Sequence, residues 1–248
     1  MLWQKCNGQN EIKPITGTLC RMVESQEQVA TLGYVDTLAE QSVLEELLEG
    51  SKPAYPEETT SLHYLLKTPF RYPPLLWGSR FGRMTEPSLF YGGKSLEATL
   101  IEAAYYRLVF LFSMQGTPPK PRLNSEHTLF SVSYSSPKGI RLQNPPFDNY
   151  LSQLTHLSDY SACQQLGSSM REAGVEVFEY LSARAQNNEI CVALFSPAAF
   201  SDKAPTGMDQ WLCESSADFV VFKTASHKSP YFFPVELFLV AGTFPMPA

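Results

Sequence analysis

The sequence predicts an α+β fold, with strands outnumbering helices in its second half and a helical extension at the N-terminus. Three observations carry this expectation. The second half holds several short runs rich in Val, Phe and Leu. Helix and strand signals do not alternate regularly, as a doubly wound parallel sheet requires. The first sixty residues carry one long helical spacing followed by a Pro-containing linker.

That spacing comes from Val29, Leu32, Leu38, Leu44, Leu47 and Leu48, and it predicts a helix over 25–50. Ser25 and Gln28 have the spacing of a capping box, Gly50 has the place of a stop, and Gly33 is a point where the segment can divide. "SKPAYPEETTS" reads as a linker. Residues 1–60 are therefore expected to be a helical extension and residues 61–248 the main domain. "SLFYGG" reads as a strand ending in a turn, and "SLEATLIEAAYYRLVFLF" as a helix capped by Ser95. "TLFSVSYSS" alternates, with Phe130, Val132 and Tyr134 on one face and Ser131 and Ser133 on the other. Asp159 to Ala173 reads as a helix closed by Gly174. "VEVFEYLSAR", "EICVALFSP", "DFVVFKTA" and "VELFLVAGTF" read as further strands.

Composition narrows the function classes. Among 248 residues, 44% are hydrophobic, 12% aromatic and 18% charged, with a net charge of −6. No run of Lys and Arg supplies the phosphate-neutralising surface of a general nucleic-acid binder. No apolar run is long enough for a signal peptide or a membrane span, so a cytoplasmic protein is expected. Five dispersed cysteines without a C-x-x-C pair, and four histidines without ligand spacing, imply neither a zinc site nor a disulfide framework.

Gly93-Lys94-Ser95 invites a phosphate-loop reading, which fails on spacing. The motif needs a glycine five residues before Gly93; Ser88 stands there, and the intervening "LFY" forms a strand rather than a loop. Gly92-Gly93 is better read as a tight strand-to-helix turn. Around that turn lie Arg71, Arg80 and Arg83 among prolines and aromatics, Tyr91 at the strand end and Glu102 on the helix. Glu102 shares a helical face with Ala98, Thr99, Tyr105 and Tyr106. One use of that carboxylate is an ion pair with Arg80 or Arg107. Another is to hold a ribose hydroxyl and stabilise an oxocarbenium ion, while arginines grip a pyrophosphate and a tyrosine stacks on a heterocycle. NAD has all of those parts.

The segments "FRYPP", "GSRFG", "SLFYGGKSLEATLIEAAYYR" and "GVEVFEYLSARAQNNEICVALFSP" occur in the order and approximate spacing of the RES-domain family, which the chain resembles from about Thr68 to Phe200. The resemblance implies an ADP-ribosyltransferase-like fold, a split and mainly antiparallel sheet with flanking helices and NAD lying in its cleft. It implies a toxin that degrades NAD as phosphorylase or glycohydrolase, with inorganic phosphate as co-substrate in the phosphorylases; the alternative is ADP-ribosyl transfer to a protein target. NAD is then substrate rather than cofactor. Glu102, Arg80, Tyr91 and Ser182 match the catalytic positions, and Arg71, Tyr72, Arg80 and Tyr91 the NAD contacts. "GSRFG" departs from the more usual Gly-Gly-Arg-Trp-Asn. A helix-turn-helix antitoxin is the implied partner, with no direct nucleic-acid or membrane contact. A separate class of reading, a non-catalytic binding protein with structural Arg–Glu pairs, makes no use of NAD.

Overall fold

The computed structural model describes residues 1–25, 34–116 and 120–247. In chain order the helices are α1 (Leu2–Lys5), α2 (Leu38–Ser51), α3 (Tyr64–Arg71), α4 (Leu96–Phe112), α5 (Leu151–Leu154) and α6 (Ser161–Glu172). The strands are β1 (Lys13–Glu24), β2 (Phe90–Gly93), β3 (Leu123–Arg141), β4 (Val177–Leu181), β5 (Ile190–Leu194), β6 (Gly207–Ser215), β7 (Phe219–Thr224) and β8 (Tyr231–Pro234). This is an α+β fold with a mostly antiparallel sheet. Among the described residues only β3 and β4 pair in parallel.

The strand order β1-β2-β5-β4-β3-β6-β7-β8 hides a closure, because β1 also pairs with β3. Five strands thus form a ring of pairings, and β6, β7 and β8 extend from β3. Strand β3 can serve both parts because it is 19 residues long. Its end pairs with β4 at Gly139 to Arg141, while Leu123 to Ser131 pairs with β6. One hydrophobic cluster takes side chains from all five ring strands: Leu19, Phe90, Val132, Val177 and Val192 among them. It is the ring's interior, closed at one side by Leu65 and Leu66 of α3. A second cluster packs α6 against β4 and β5, and a third packs α4 against β6 and β7.

The N-terminal region corrects an expectation. Residues 13–24 are not part of a helical extension. They form β1, whose Leu19 is fully buried in the ring core. The helical spacing does produce α2, later than expected. Its cap is Thr37, whose hydroxyl accepts from the Glu40 N–H at 3.2 Å. Gln28 and Gly33, assigned to a cap and a division of that helix, lie outside the described residues. The Ser25 hydroxyl meets that of Thr128 at 2.8 Å. The C-terminal expectation is corrected too. "VELF" is a 3-10 turn, not a strand: the Val235 N–H makes the last bond of the β7–β8 ladder, to the Asp218 carbonyl, and the Leu239 N–H then turns back to the Glu236 carbonyl.

Among the described residues no helix is long and apolar enough to cross a membrane.

Candidate functional site

Strands β1 and β2 touch at one pair, Cys20 opposite Gly93. Continuing that register would set Met22 opposite Tyr91. Instead the strands part, and Arg21 Nη1 donates to the Tyr91 carbonyl at 2.8 Å in place of a ladder bond. The split opens a cleft of about 550 Å³, with α4 along one wall. Two glycines bring the parts so close. A Cβ on Gly92 would stand 2.7 Å from the Cys20 carbonyl oxygen, and one on Gly93 would stand 2.6 Å from Thr99 Oγ1.

Helix α4 starts as its sequence requires: the Ser95 hydroxyl accepts from the Ala98 N–H at 3.0 Å. From there Thr99, Glu102, Ala103, Tyr106, Arg107 and Phe110 line the cleft. These residues follow the i, i+3, i+4 spacing of one helical face. Tyr105, expected on the same face as Glu102, turns into the core, where its hydroxyl donates to the Pro245 carbonyl.

Glu102 is half-buried, and no ion pair with Arg80 or Arg107 forms; Arg107 pairs with Glu24 at 2.9 Å. The carboxylate is held by a hydroxyl instead. Ser182, just after β4, donates to Glu102 Oε1 at 2.6 Å. The Ser182 oxygen itself accepts from the Arg184 and Ala185 N–H groups at 3.1 and 3.2 Å. Backbone and carboxylate are therefore both partners of this one hydroxyl.

Arg80 lies in the loop 78–82 and is buried. Its Nη1 donates to the His156 carbonyl at 2.8 Å, and its guanidinium lies 4.4 Å from the Tyr160 ring centre. Burial works against its charge, but Tyr160, Cys163, Glu102 and Tyr180 outweigh that and raise its pKa. Tyr91 pins the same loop: its hydroxyl accepts from the Phe81 N–H at 3.1 Å and meets Ser79 Oγ at 2.9 Å. Burial pushes that phenol up to about 12, so it stays protonated.

The structure thus brings Arg80, Tyr91, Glu102 and Ser182 together at one end of the cleft. It does not bring Arg71 or Tyr72 there. Arg71 ends α3 and turns toward the N-terminal region. It bonds to the Pro53 carbonyl, pairs with Glu49 at 2.6 Å and lies 4.1 Å from the Tyr55 ring centre. Tyr72 is 40% exposed beside it, and neither lines the cleft. Lys94 is likewise committed away from any phosphate, to the buried Glu179 at 2.9 Å. Arg21, which the sequence reading passed over, is a further arginine of the cleft beside Arg80 and Arg107. Its one signal was a basic residue inside the apolar run "LCRMV". Burial lowers its pKa to about 10, which leaves it charged at neutral pH. Tyr160 and Tyr106, two further aromatics of the cleft, were also not assigned a role.

The fold and site define a mostly antiparallel α+β domain whose split sheet opens a cleft lined by Glu24 and Glu102, by Arg21, Arg80 and Arg107, and by several tyrosines. A family model described as the RES domain matches residues 56–215, more than half of the chain. The protein belongs to the RES-domain family, an NAD-related, toxin-type family. No curated protein matches the chain. The family match starts after β1, so Arg21 lies outside it.

Proposed function

We propose that the protein degrades NAD, releasing nicotinamide, with inorganic phosphate or water as acceptor. The observation that carries this reading is the Glu102–Ser182 bond beside a cleft that also holds Arg21 and Arg80. With Oε1 taken by Ser182, Glu102 Oε2 is the atom to accept a hydroxyl of the nicotinamide ribose. The C1′–N bond breaks and its electron pair stays on nicotinamide, which leaves neutral. The carboxylate stabilises the oxocarbenium ion that remains, until an acceptor oxygen bonds to C1′. Arg21 and Arg80 hold the pyrophosphate, Arg21 taking the part expected of Arg71. Tyr91 keeps the Arg80 loop in place and offers a ring near the nicotinamide. Rate then comes from positioning and charge rather than from a covalent intermediate.

The split, mainly antiparallel sheet supports an ADP-ribosyltransferase-like reading of the fold. Family membership supports a toxin restrained by a cognate helix-turn-helix antitoxin. The test is incubation with NAD, with and without inorganic phosphate, followed by mass spectrometry. Nicotinamide plus phosphorylated ADP-ribose, formed only with phosphate, identifies a phosphorylase; free ADP-ribose in both identifies a glycohydrolase. Glu102→Gln keeps the shape and loses the charge, and turnover should fall at least about 100-fold with unchanged circular dichroism. Intact NAD under all conditions turns the reading toward a protein acceptor or a non-catalytic binder.

A further inference from the structure

The cleft is longer than the Glu102 end requires. Tyr106 and Phe110 follow Glu102 at one-turn intervals on α4, so Phe110 stands about 12 Å along the helix from the carboxylate. Both rings are exposed, Tyr106 at 43% and Phe110 at 51%, although they line a concavity. Around Phe110 the walls are Met22, Glu24, Arg107 and His127. Arg107 is held by Glu24 and lies 5.3 Å from the Phe110 ring centre. His127 is 4% exposed. Its Nε2 meets Ser125, while its Nδ1, near the Val23 backbone, has no partner in hydrogen-bond geometry among the described residues.

The geometry points to this far end as the seat of the adenosine half of NAD, with adenine stacked on Phe110. The inference rests on the NAD reading above and adds the direction in which the dinucleotide lies. Nicotinamide ribose must sit at Glu102, and Arg21 stands on the β1 edge where the pyrophosphate would cross. What remains at the far end is a flat apolar platform with hydrogen-bonding groups beside it, as an adenine needs. The Glu24 carboxylate at the mouth is placed to accept ribose hydroxyls. Burial first, and Arg107 second, lower the His127 pKa to about 4. Its ring is therefore neutral at pH 7 and forms an uncharged wall of the far end.

The test uses two fragments as competitive inhibitors of nicotinamide release from NAD: AMP for one half, nicotinamide for the other. Base-on-aromatic stacking is worth about 1–3 kcal/mol per base. In Phe110→Ala the KM for NAD and the inhibition constant of AMP should therefore both rise at least about fivefold, and that of nicotinamide should not move. Phe110→Trp should restore AMP binding. If AMP and nicotinamide weaken together, Phe110 is structural, and if neither changes, adenine lies elsewhere. If only nicotinamide weakens, NAD lies the other way round. Each of these results overturns the inference while leaving NAD cleavage standing. Absence of nicotinamide release by the unaltered protein would remove both.

Discussion

Ser182 has one proton to give, and it gives it to Glu102, because the Arg184 and Ala185 N–H groups already fill the acceptor side of its oxygen. The hydroxyl is thus a support for the carboxylate and not a nucleophile, which would need a base to take that proton. Removing it frees the carboxylate to rotate and leaves two N–H groups short of an acceptor. A hydrogen bond to a charged group contributes about 1.5–3 kcal/mol. Ser182→Ala should therefore lower kcat about ten- to a hundredfold and also lower the melting temperature, while Ser182→Thr, which keeps the hydroxyl, should recover most of the activity. Loss of stability without loss of kcat would show that the Glu102 contact has no catalytic use. The two arginines separate by the same kind of reasoning. Arg21 faces the cleft from the open edge of β1, whereas Arg71 ties α3 to Glu49, Pro53 and Tyr55. Arg21→Ala should raise the KM for NAD at least about tenfold, the loss of a charged hydrogen bond to a phosphate. Arg71→Ala should lower the melting temperature and leave KM within error. Steady-state kinetics and a thermal melt on both variants decide it, and the opposite pattern would return Arg71 to the substrate.

At the scale of elements, the site depends on how β1 meets β2 and then leaves it. Gly92 adjoins the paired Gly93, and a methyl added there would meet backbone, the Cys20 carbonyl, as well as the Leu19 side chain. Overpacking of this kind costs about 1–3 kcal/mol. Gly92→Ala should therefore destabilise the fold and, by pushing β1 outward, carry Arg21 away and raise the KM for NAD; an unchanged KM in a destabilised variant would mean that the cleft does not depend on this contact. Much of this half of the molecule was legible in the sequence. The strand "SLFYGG", the Ser95 cap and α4 are set by local chemistry, and Glu102 could be placed on its face by counting. Strand β1 was not legible. Ile15 and Leu19 face the ring core, but Gly17 and Arg21 interrupt that side, and on the other Thr16 and Thr18 give way to Cys20 and Met22. With both faces mixed, the period-two signal is lost. Strand β6 was lost for a related reason: apart from Trp211, Cys213 and Ser215 it is mostly exposed, so little in "GMDQWLCES" marks a core face. Arg71 was misplaced because a basic residue amid prolines and aromatics fits a ligand loop and a helix-end anchor equally well. Only tertiary contacts separate the two.

At the scale of the whole molecule, the ring joins segments far apart in the chain, so its closure could not be read locally. β1 pairs with β3 from Lys13 to Glu24, across more than a hundred residues. The same closure buries His127, opposite Glu24 in that register and beside Arg107 on α4. Its depressed pKa makes the stability of the fold depend on pH. In the unfolded chain the ring takes up a proton near the ordinary value of 6.5, whereas in the folded protein it does so only near about 4. Between those values the unfolded state binds more protons, so stability is full above about 6.5 and falls as pH drops toward 4. The whole effect is on the order of 3 kcal/mol, and about 1 kcal/mol of it falls between pH 7 and pH 5.5. Carboxylates such as Glu179, whose own pKa is lowered by Tyr134, Lys94 and Gln143 against the opposing effect of burial, add their loss only at more acid pH. The upper part of the window therefore belongs to imidazole. Denaturant unfolding at pH 7 and pH 5.5 should show the drop in the unaltered protein and a much smaller one in His127→Gln, which cannot titrate. Equal drops in the two would place the proton uptake elsewhere and would show that burial does not hold His127 neutral.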